Sequence, residues 1–179
     1  MKSLATAALF WLVAGPALAA GEVHEFQLNN GLKLVVKEDH RAPIVVSQIW
    51  YKVGSSYEYG GVTGISHVLE HMMFKGTDDY GPGEFSRIIS ENGGEDNAFT
   101  GRDYTAYYQH LAKDRLEVAF ALEADRMRNV HLTDEEFQKE RAVVQEERRL
   151  RTEDKPQSLT YEQFSAAAYR ASPYRIPVI

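Results

Sequence analysis

The hydrophobic pattern of this chain changes its period along the sequence. The order of these changes limits the possible folds more than any other feature. Apolar and β-branched residues mark strands over 23–29, 32–36 and 44–53. Asn30-Gly31 separates the first two strands, and this dipeptide favours a two-residue turn with positive φ. We therefore predict a hairpin over 23–38, followed by a long strand that is buried on at least one face.

The pattern becomes helical after a loop at 54–61 that is rich in Gly, Ser and Tyr. Helical spacing begins at residue 65, and Gly76 is placed to end that helix. The rest of this stretch predicts a short helix near 84–91, strands over 97–100 and 104–111, and a helix capped by Asp114 that reaches about residue 129.

Thr133 opens the next helix. Glu136 follows it by three residues, which forms a capping box, and the helix is predicted to reach about residue 151. Another helical stretch begins at Pro156. Since strands and helices succeed one another without regular βαβ alternation, we predict an α+β fold, with a mostly antiparallel sheet and helices packed on one side.

The first 19 residues have the features of a secretory signal peptide. Lys2 gives a positive start, residues 4–13 are apolar, and Ala17-Leu18-Ala19 is an A-x-A cleavage site. We expect an exported protein, periplasmic or secreted, whose single domain begins at residue 20. No other segment approaches the ~20 apolar residues of a membrane helix, so a stable membrane span is not expected.

The chain contains no cysteine and has a net charge of −6. The lack of cysteine excludes a disulfide framework, a thiolate zinc site and a cysteine nucleophile, so any zinc must be held by His, Asp or Glu. No basic stripe is present to neutralise phosphates, and a nucleic-acid partner is therefore not expected.

The segment His67-Val68-Leu69-Glu70-His71 carries the chemistry. On a helix each residue turns by about 100°, so His67 and His71 share one face, where two imidazoles can ligate a single metal ion. Glu70 lies on the flank of that face and can accept a proton from a metal-bound water without being a ligand. This order is the reverse of the H-E-x-x-H motif. The alternative is a surface helix with solvated histidines, but its apolar flanks indicate partial burial, and buried imidazoles need partners.

A catalytic zinc keeps three protein ligands and one open position, so a third ligand must come from elsewhere. The helix opened by Thr133 offers six candidates, and the pattern alone does not choose among Glu135, Glu136, Glu140, Glu146, Glu147 and Glu153. Glu140 and Glu147 are seven residues apart and share a face, so one could bind metal while the other orients a histidine. The alternative is a solvated acidic face with pairs such as Glu147–Arg151.

The run 64–77, GISHVLEHMMFKGT, resembles the zinc helix of the pitrilysin/insulinase peptidase family. Further matches follow in that family's order: Gly93-Gly94, Asn97-Ala98-Phe99-Thr100, Asp103-Tyr104-Thr105, Tyr107-Tyr108 and ERAVVQEE at 140–147. The resemblance extends from about residue 23 to the last residue. It implies one zinc ion bound by His67, His71 and Glu147, Glu140 as an outer carboxylate, Glu70 as the base, and a substrate-binding strand that contains Asn97, Ala98 and Phe99.

The resemblance implies a zinc-dependent endopeptidase that hydrolyses peptides or unfolded polypeptides, with Glu70 activating a zinc-bound water. Two homologous halves enclose the substrate in this family, so a second homologous domain or subunit is expected. Residues 20–179 are then an N-terminal zinc-binding domain, truncated at its C-terminal end. The alternative is a non-catalytic, zinc-stabilised subunit or peptide-binding partner of a peptidase complex. A degraded H-x-x-E-H would favour that alternative, and here the motif is intact.

Overall fold

The computed structural model describes residues 21–179, and the predicted signal peptide lies outside them. The described chain divides into two compact units after Ala42. None of the helices within 21–179 combines the length and the hydropathy needed to cross a membrane.

The first unit is the predicted hairpin, in which β1 (Val23–Gln27) pairs antiparallel with β2 (Lys33–Lys37). The predicted two-residue turn is wrong. The Leu28 N–H donates to the Leu32 carbonyl at 2.9 Å, which leaves three residues in the loop, and of these only Gly31 has a positive φ, of 90°. The Asn30 side chain accepts the Leu32 N–H at 3.1 Å, an Asx turn that keeps Asn30 itself at negative φ.

The second unit contains a three-stranded antiparallel sheet. It consists of β3 (Ile44–Tyr51), β4 (Glu95–Thr100) and β5 (Thr105–Ala112), in the order β3–β5–β4. The register pairs Ser47 with Gln109 and Asn97 with Tyr108. Within residues 43–179, β4 is therefore an edge strand.

The helices of this unit are α1 (Ile65–Met72), α2 (Glu84–Glu91), α3 (Leu116–Asn129), α4 (Asp134–Arg148) and α5 (Pro156–Ala168). Short 3₁₀ turns cover Ser55–Tyr57, Lys113–Arg115 and Pro173–Arg175, and a π-helical turn, Arg149–Glu153, extends α4. The helix predicted to reach about residue 151 therefore corresponds to α4 together with this turn.

Two predicted helix starts have different outcomes. The Thr133 hydroxyl accepts the Glu136 N–H at 3.3 Å, which confirms Thr133 as the cap of α4. The predicted cap by Asp114 is wrong. The chain leaves β5 through a 3₁₀ turn that contains Asp114, so α3 begins at Leu116 without a side-chain cap.

The helices pack on one face of the sheet, as predicted. The core between them contains Phe85 and Ile89 from α2, Leu111 from β5, and Ala119 and Leu122 from α3. Large side chains on the other face stay exposed, including Ile44, Val46, Trp50 and Phe99. Helix α4 packs against α1, and this contact positions the site described next.

Candidate metal centre

The start of α1 is fixed by a carboxylate from the preceding loop. Glu58 is buried, and its two oxygens accept backbone N–H groups from Gly64 at 2.7 Å and Ser66 at 2.8 Å. The first turn of a helix leaves such donors without partners inside the helix. Gly64 occupies the cap position with a φ of 85° and has no side chain to accept them, so Glu58 takes over that role.

Helix α1 presents two histidines to α4. The rings of His67 and His71 lie one helical turn apart, with centroids separated by 4.9 Å. Glu147 of α4 places its Oε2 atom 3.6 Å from Nε2 of His67 and 3.8 Å from Nε2 of His71. One ligand atom from each residue lies within 4.8 Å of the others. Tetrahedral zinc with ligands at about 2.0–2.1 Å separates those ligands by about 3.4 Å, so this spacing suits one ion.

The donors also fit a divalent cation chemically. Glu147 Oε2 is buried and has no hydrogen-bond partner among the described residues. An unpartnered buried carboxylate oxygen is costly, and a cation shared with two imidazoles would satisfy it. Burial lowers the pKa of His67, and the neighbouring His71 lowers it further. Both effects favour the neutral imidazole that metal ligation requires.

Glu140 lies behind His71, on the side away from the metal-facing nitrogen. Its Oε2 atom is 2.9 Å from Nδ1 of His71, and its Oε1 atom is 2.6 Å from Nζ of Lys75. Burial alone would raise the pKa of Glu140, but the hydrogen bonds from Lys75 and His71 outweigh it and hold that pKa below its usual range. The ionised Glu140 therefore favours a proton on Nδ1 of His71, which leaves Nε2 free to bind metal.

Glu70 lies beside the three candidate ligands but does not belong to their cluster. Its carboxylate is buried and accepts a hydrogen bond from the Thr100 hydroxyl on β4. Burial raises the pKa of Glu70, and the Thr100 hydrogen bond offsets part of that effect. A carboxylate with a raised pKa, close to a metal without ligating it, is suited to proton transfer.

The predicted substrate strand borders the same cleft. A cavity of about 400 Å³ is lined by the metal-centre residues on one side and by Asn97, Ala98, Phe99 and Thr100 of β4 on the other. The Asn97 side chain accepts the N–H of its neighbour Ala98 at 2.8 Å. The structure thus brings all eight residues singled out from the sequence to one cleft, while the roles assigned to them stay predictions.

Three supporting contacts were not anticipated. The Glu70–Thr100 bond joins residues thirty positions apart, and the Lys75–Glu140 pair joins the turn after α1 to α4. Sequence spacing carries no signal for either. Glu58 had one weak signal, since it precedes a helix whose cap position is a glycine.

Comparison with known proteins gives a consistent result. The family model described as "Insulinase (Peptidase family M16)" matches residues 33–179. The chain is 39% identical over 148 residues to "Zinc protease PqqE" of Helicobacter pylori, covering 82% of this chain. It is 31% identical over 157 residues to an uncharacterized zinc protease, YmxG, of Bacillus subtilis, covering 88% of this chain.

A solved structure is also similar. The crystal structure of a protease from Helicobacter pylori superposes with a TM-score of 0.84 at 36% identity, over 88% of this chain. These matches span 33% of the PqqE relative, 38% of the YmxG relative and 38% of the crystallised protease. The chain therefore spans between about a third and two fifths of the length of each of these proteins.

Proposed function

Because this chain belongs to the insulinase family of peptidases, peptidase family M16, we propose that it carries the zinc site of an endopeptidase that hydrolyses peptides or unfolded polypeptides. The observation that supports this most directly is the position of the buried Oε2 atom of Glu147. It has no hydrogen-bond partner within residues 21–179 and lies within 3.8 Å of the Nε2 atoms of both histidines. Three protein ligands of this kind suit one zinc ion with an open position, as in catalytic rather than structural sites.

Zinc bound there would supply Lewis acidity, which polarises a peptide carbonyl and lowers the pKa of a water at the open position. Glu70 would accept the proton that this attacking water releases and then deliver it to the nitrogen of the leaving amine. The Thr100 hydroxyl holds one oxygen of Glu70. It thereby keeps the carboxylate oriented toward the cleft rather than free to rotate.

The peptide would bind as an added strand along β4. An edge strand offers backbone donors and acceptors at a regular spacing, which recognise an extended chain without reading its side chains. Asn97, Ala98 and Phe99 would form this contact, since they line the cleft that contains the candidate ligands. The Ala98 N–H, now bonded to Asn97, would become available when the Asn97 side chain moves aside.

Replacing Glu70 by Gln tests this function. The variant Glu70→Gln should keep one zinc per chain by elemental analysis but lose about 10²–10⁴-fold in the rate at which it cleaves a denatured polypeptide. Glu91→Gln changes an exposed carboxylate on α2 in the same way and serves as the matched control. Undiminished cleavage by Glu70→Gln would exclude the proton-transfer role. Peptide binding with no cleavage by the zinc-loaded wild type would favour a non-catalytic subunit.

A second homologous domain, on the same chain or on a partner subunit, is proposed to close the cleft from the opposite side. The paired halves of the family support this, and mass measurement of the purified native protein tests it. A species that contains one such domain only, and that cleaves at full rate, would contradict it.

Export to the periplasm or the exterior is proposed from the first 19 residues, with cleavage after Ala19. N-terminal sequencing of the protein recovered outside the cytoplasm should begin at or close to Ala20. Recovery of the cytoplasmic, uncleaved chain alone would exclude export.

A further inference from the structure

We propose that the catalytic cleft continues into a subsite that binds a carboxylate of the peptide substrate, lined by Arg102, Arg151 and Arg175. The inference rests on the proposed function, because it assigns a substrate preference to the same cleft. Its basis is the position of a second cavity and the charge of that cavity's wall.

The second cavity has a volume of about 430 Å³ and adjoins the catalytic cleft. Arg151, Val178 and Ile179 line both spaces. Arg151 also lies 3.4 Å from Oε1 of Glu147, whose other oxygen faces the histidines. A peptide held at the metal centre would therefore reach this cavity within a few residues of the bond to be cleaved.

The wall of this cavity carries an excess of positive charge. Three arginines line it, and the one carboxylate among its described lining residues is Glu162. Both oxygens of Glu162 are bonded to Arg148, at 2.9 and 3.0 Å. Glu162 therefore has little capacity left for the arginines of the wall, of which Arg151 alone pairs with a carboxylate of residues 21–179, that of Glu147. This wall contrasts with the net charge of −6 of the whole chain.

Two of the three guanidinium groups, those of Arg102 and Arg175, keep hydrogen-bonding capacity. Arg102 stacks over the ring of Tyr174 at 5.6 Å, and its Nε atom is buried with no partner among the described residues. Asp103, next to Arg102, is already bonded to Ser56 and Tyr174. Arg175 donates to a backbone carbonyl at 3.5 Å, and neither Arg102 nor Arg175 forms an ion pair within residues 21–179.

A carboxylate is the group that best fits such a wall. The guanidinium fork matches the two oxygens of a carboxylate, and charge-assisted hydrogen bonds are about twice as strong as neutral ones. The non-polar walls at Tyr161 and Ile176 would accommodate the methylene groups of a glutamate. The carboxylate could come from an acidic side chain or from the end of the peptide chain.

The test uses the whole zinc-loaded protein and peptides that are identical except for Glu, Gln or Lys at one position near the cleaved bond. Amidated and free-acid forms of each peptide separate a side-chain carboxylate from a terminal one. Cleavage gives kcat/KM, and fluorescence anisotropy with Glu70→Gln gives binding without turnover. At one position, the Glu peptide should exceed the Gln peptide by about tenfold in kcat/KM and in binding affinity, and the Lys peptide should have the lowest values of both.

The double variant Arg102→Gln/Arg175→Gln should reduce the advantage of Glu over Gln to less than about twofold. If the double variant folds poorly, Arg175→Gln alone provides the test, because it changes an exposed side chain. It should also reduce the advantage of Glu over Gln. Arg141→Gln removes an exposed arginine of α4 that lines neither cavity, and it should keep the full preference.

Equal binding and cleavage of the Glu and Gln peptides at every position, in both terminal forms, would overturn the subsite and leave the peptidase proposal standing. If the wild type cleaves none of the peptides, the proposed function fails. Anisotropy still decides the subsite in that case, because a carboxylate preference that the double variant abolishes requires no turnover.

Discussion

At the scale of single residues, Glu58 holds the helix that carries both candidate histidine ligands without touching either of them. Its two oxygens bind the first free N–H groups of α1, at Gly64 and Ser66. A carboxylate at this end of a helix also interacts favourably with the helix dipole. The position of His67, three residues after Gly64, therefore depends on a side chain in a preceding loop.

Replacing Glu58 by Ala should lower the free energy of unfolding by about 1–3 kcal/mol, because one buried and one partly buried N–H donor lose their acceptor. Zinc affinity should fall as well, since the start of α1 becomes free to fray. Urea denaturation and competition with a zinc chelator measure the two effects. Glu91→Ala is the matched control, and a Glu58→Ala variant with unchanged zinc affinity would show that Glu58 has no positioning role.

The residues that the sequence made predictable are those whose spacing has a chemical meaning. His67, Glu70 and His71 follow from a helical repeat, and Glu147 could be narrowed only to a set of six carboxylates before the family resemblance was considered. Thr100 and Lys75 act through contacts that depend on how α1, α4 and β4 pack. Such contacts leave no pattern along the chain.

At the scale of elements, a buried ion pair within α3 contacts side chains of β5 and so ties that helix to the sheet. Arg126 and Glu123 are each about as buried as the apolar core, at 2% and 3% exposure, and Gln109 of β5 donates to Glu123 at 2.6 Å. The Arg126 guanidinium also lies over three aromatic rings, at 4.2 Å from Phe85, 4.4 Å from Tyr107 and 5.0 Å from Phe74. Phe85 belongs to α2, Tyr107 to β5, and Phe74 to the segment after α1.

Arg126→Met should destabilise the protein by about 3–5 kcal/mol, because it leaves the Glu123 carboxylate buried without its cation. The double variant Arg126→Met/Glu123→Gln should recover at least half of that loss, since it removes both charges and keeps an acceptor for Gln109. A double-mutant cycle in urea measures the coupling. If the stability losses of the two single variants add up to the loss of the double variant, the two side chains are not coupled.

The elements themselves were more predictable than their ends. Periodicity located α1, α2 and the strands, and Thr133 marked the start of α4. The predictions failed where a side chain had a competing local partner or the chain followed an irregular path. Asn30 formed an Asx turn, Asp114 fell within a 3₁₀ turn, and α4 continued through a π-helical turn that propensity does not foresee.

At the scale of the whole molecule, the candidate metal centre belongs entirely to the second unit, residues 43–179. Helices α1 and α4 supply the ligands and β4 supplies the opposite wall of the cleft. Since His67 and His71 of α1 face Glu140 and Glu147 of α4, a shared cation should contribute to holding the two helices together.

Zinc at about 100 times its Kd should stabilise the protein by about 2.7 kcal/mol and raise its Tm by about 5–10 °C relative to the chelated protein. Thermal unfolding with and without EDTA measures this. Glu147→Ala should show little response to added zinc, which separates the site from weaker surface binding. A Tm that is insensitive to EDTA, in protein shown to lose its zinc, would mean that α1 and α4 hold together without the ion.

The edge of β4, which is unpaired within residues 43–179, has a consequence beyond the proposed peptide binding. A ladder of unpaired backbone groups that accepts any extended polypeptide cannot distinguish a foreign chain from a partly unfolded sister molecule. If peptides bind along β4 and are cleaved as proposed, damaged copies of this protein would compete for the cleft and be degraded by intact ones. Intact molecules would then remove misfolded copies of the same protein. The specific activity of a preparation would therefore depend on the protein concentration at which it is kept.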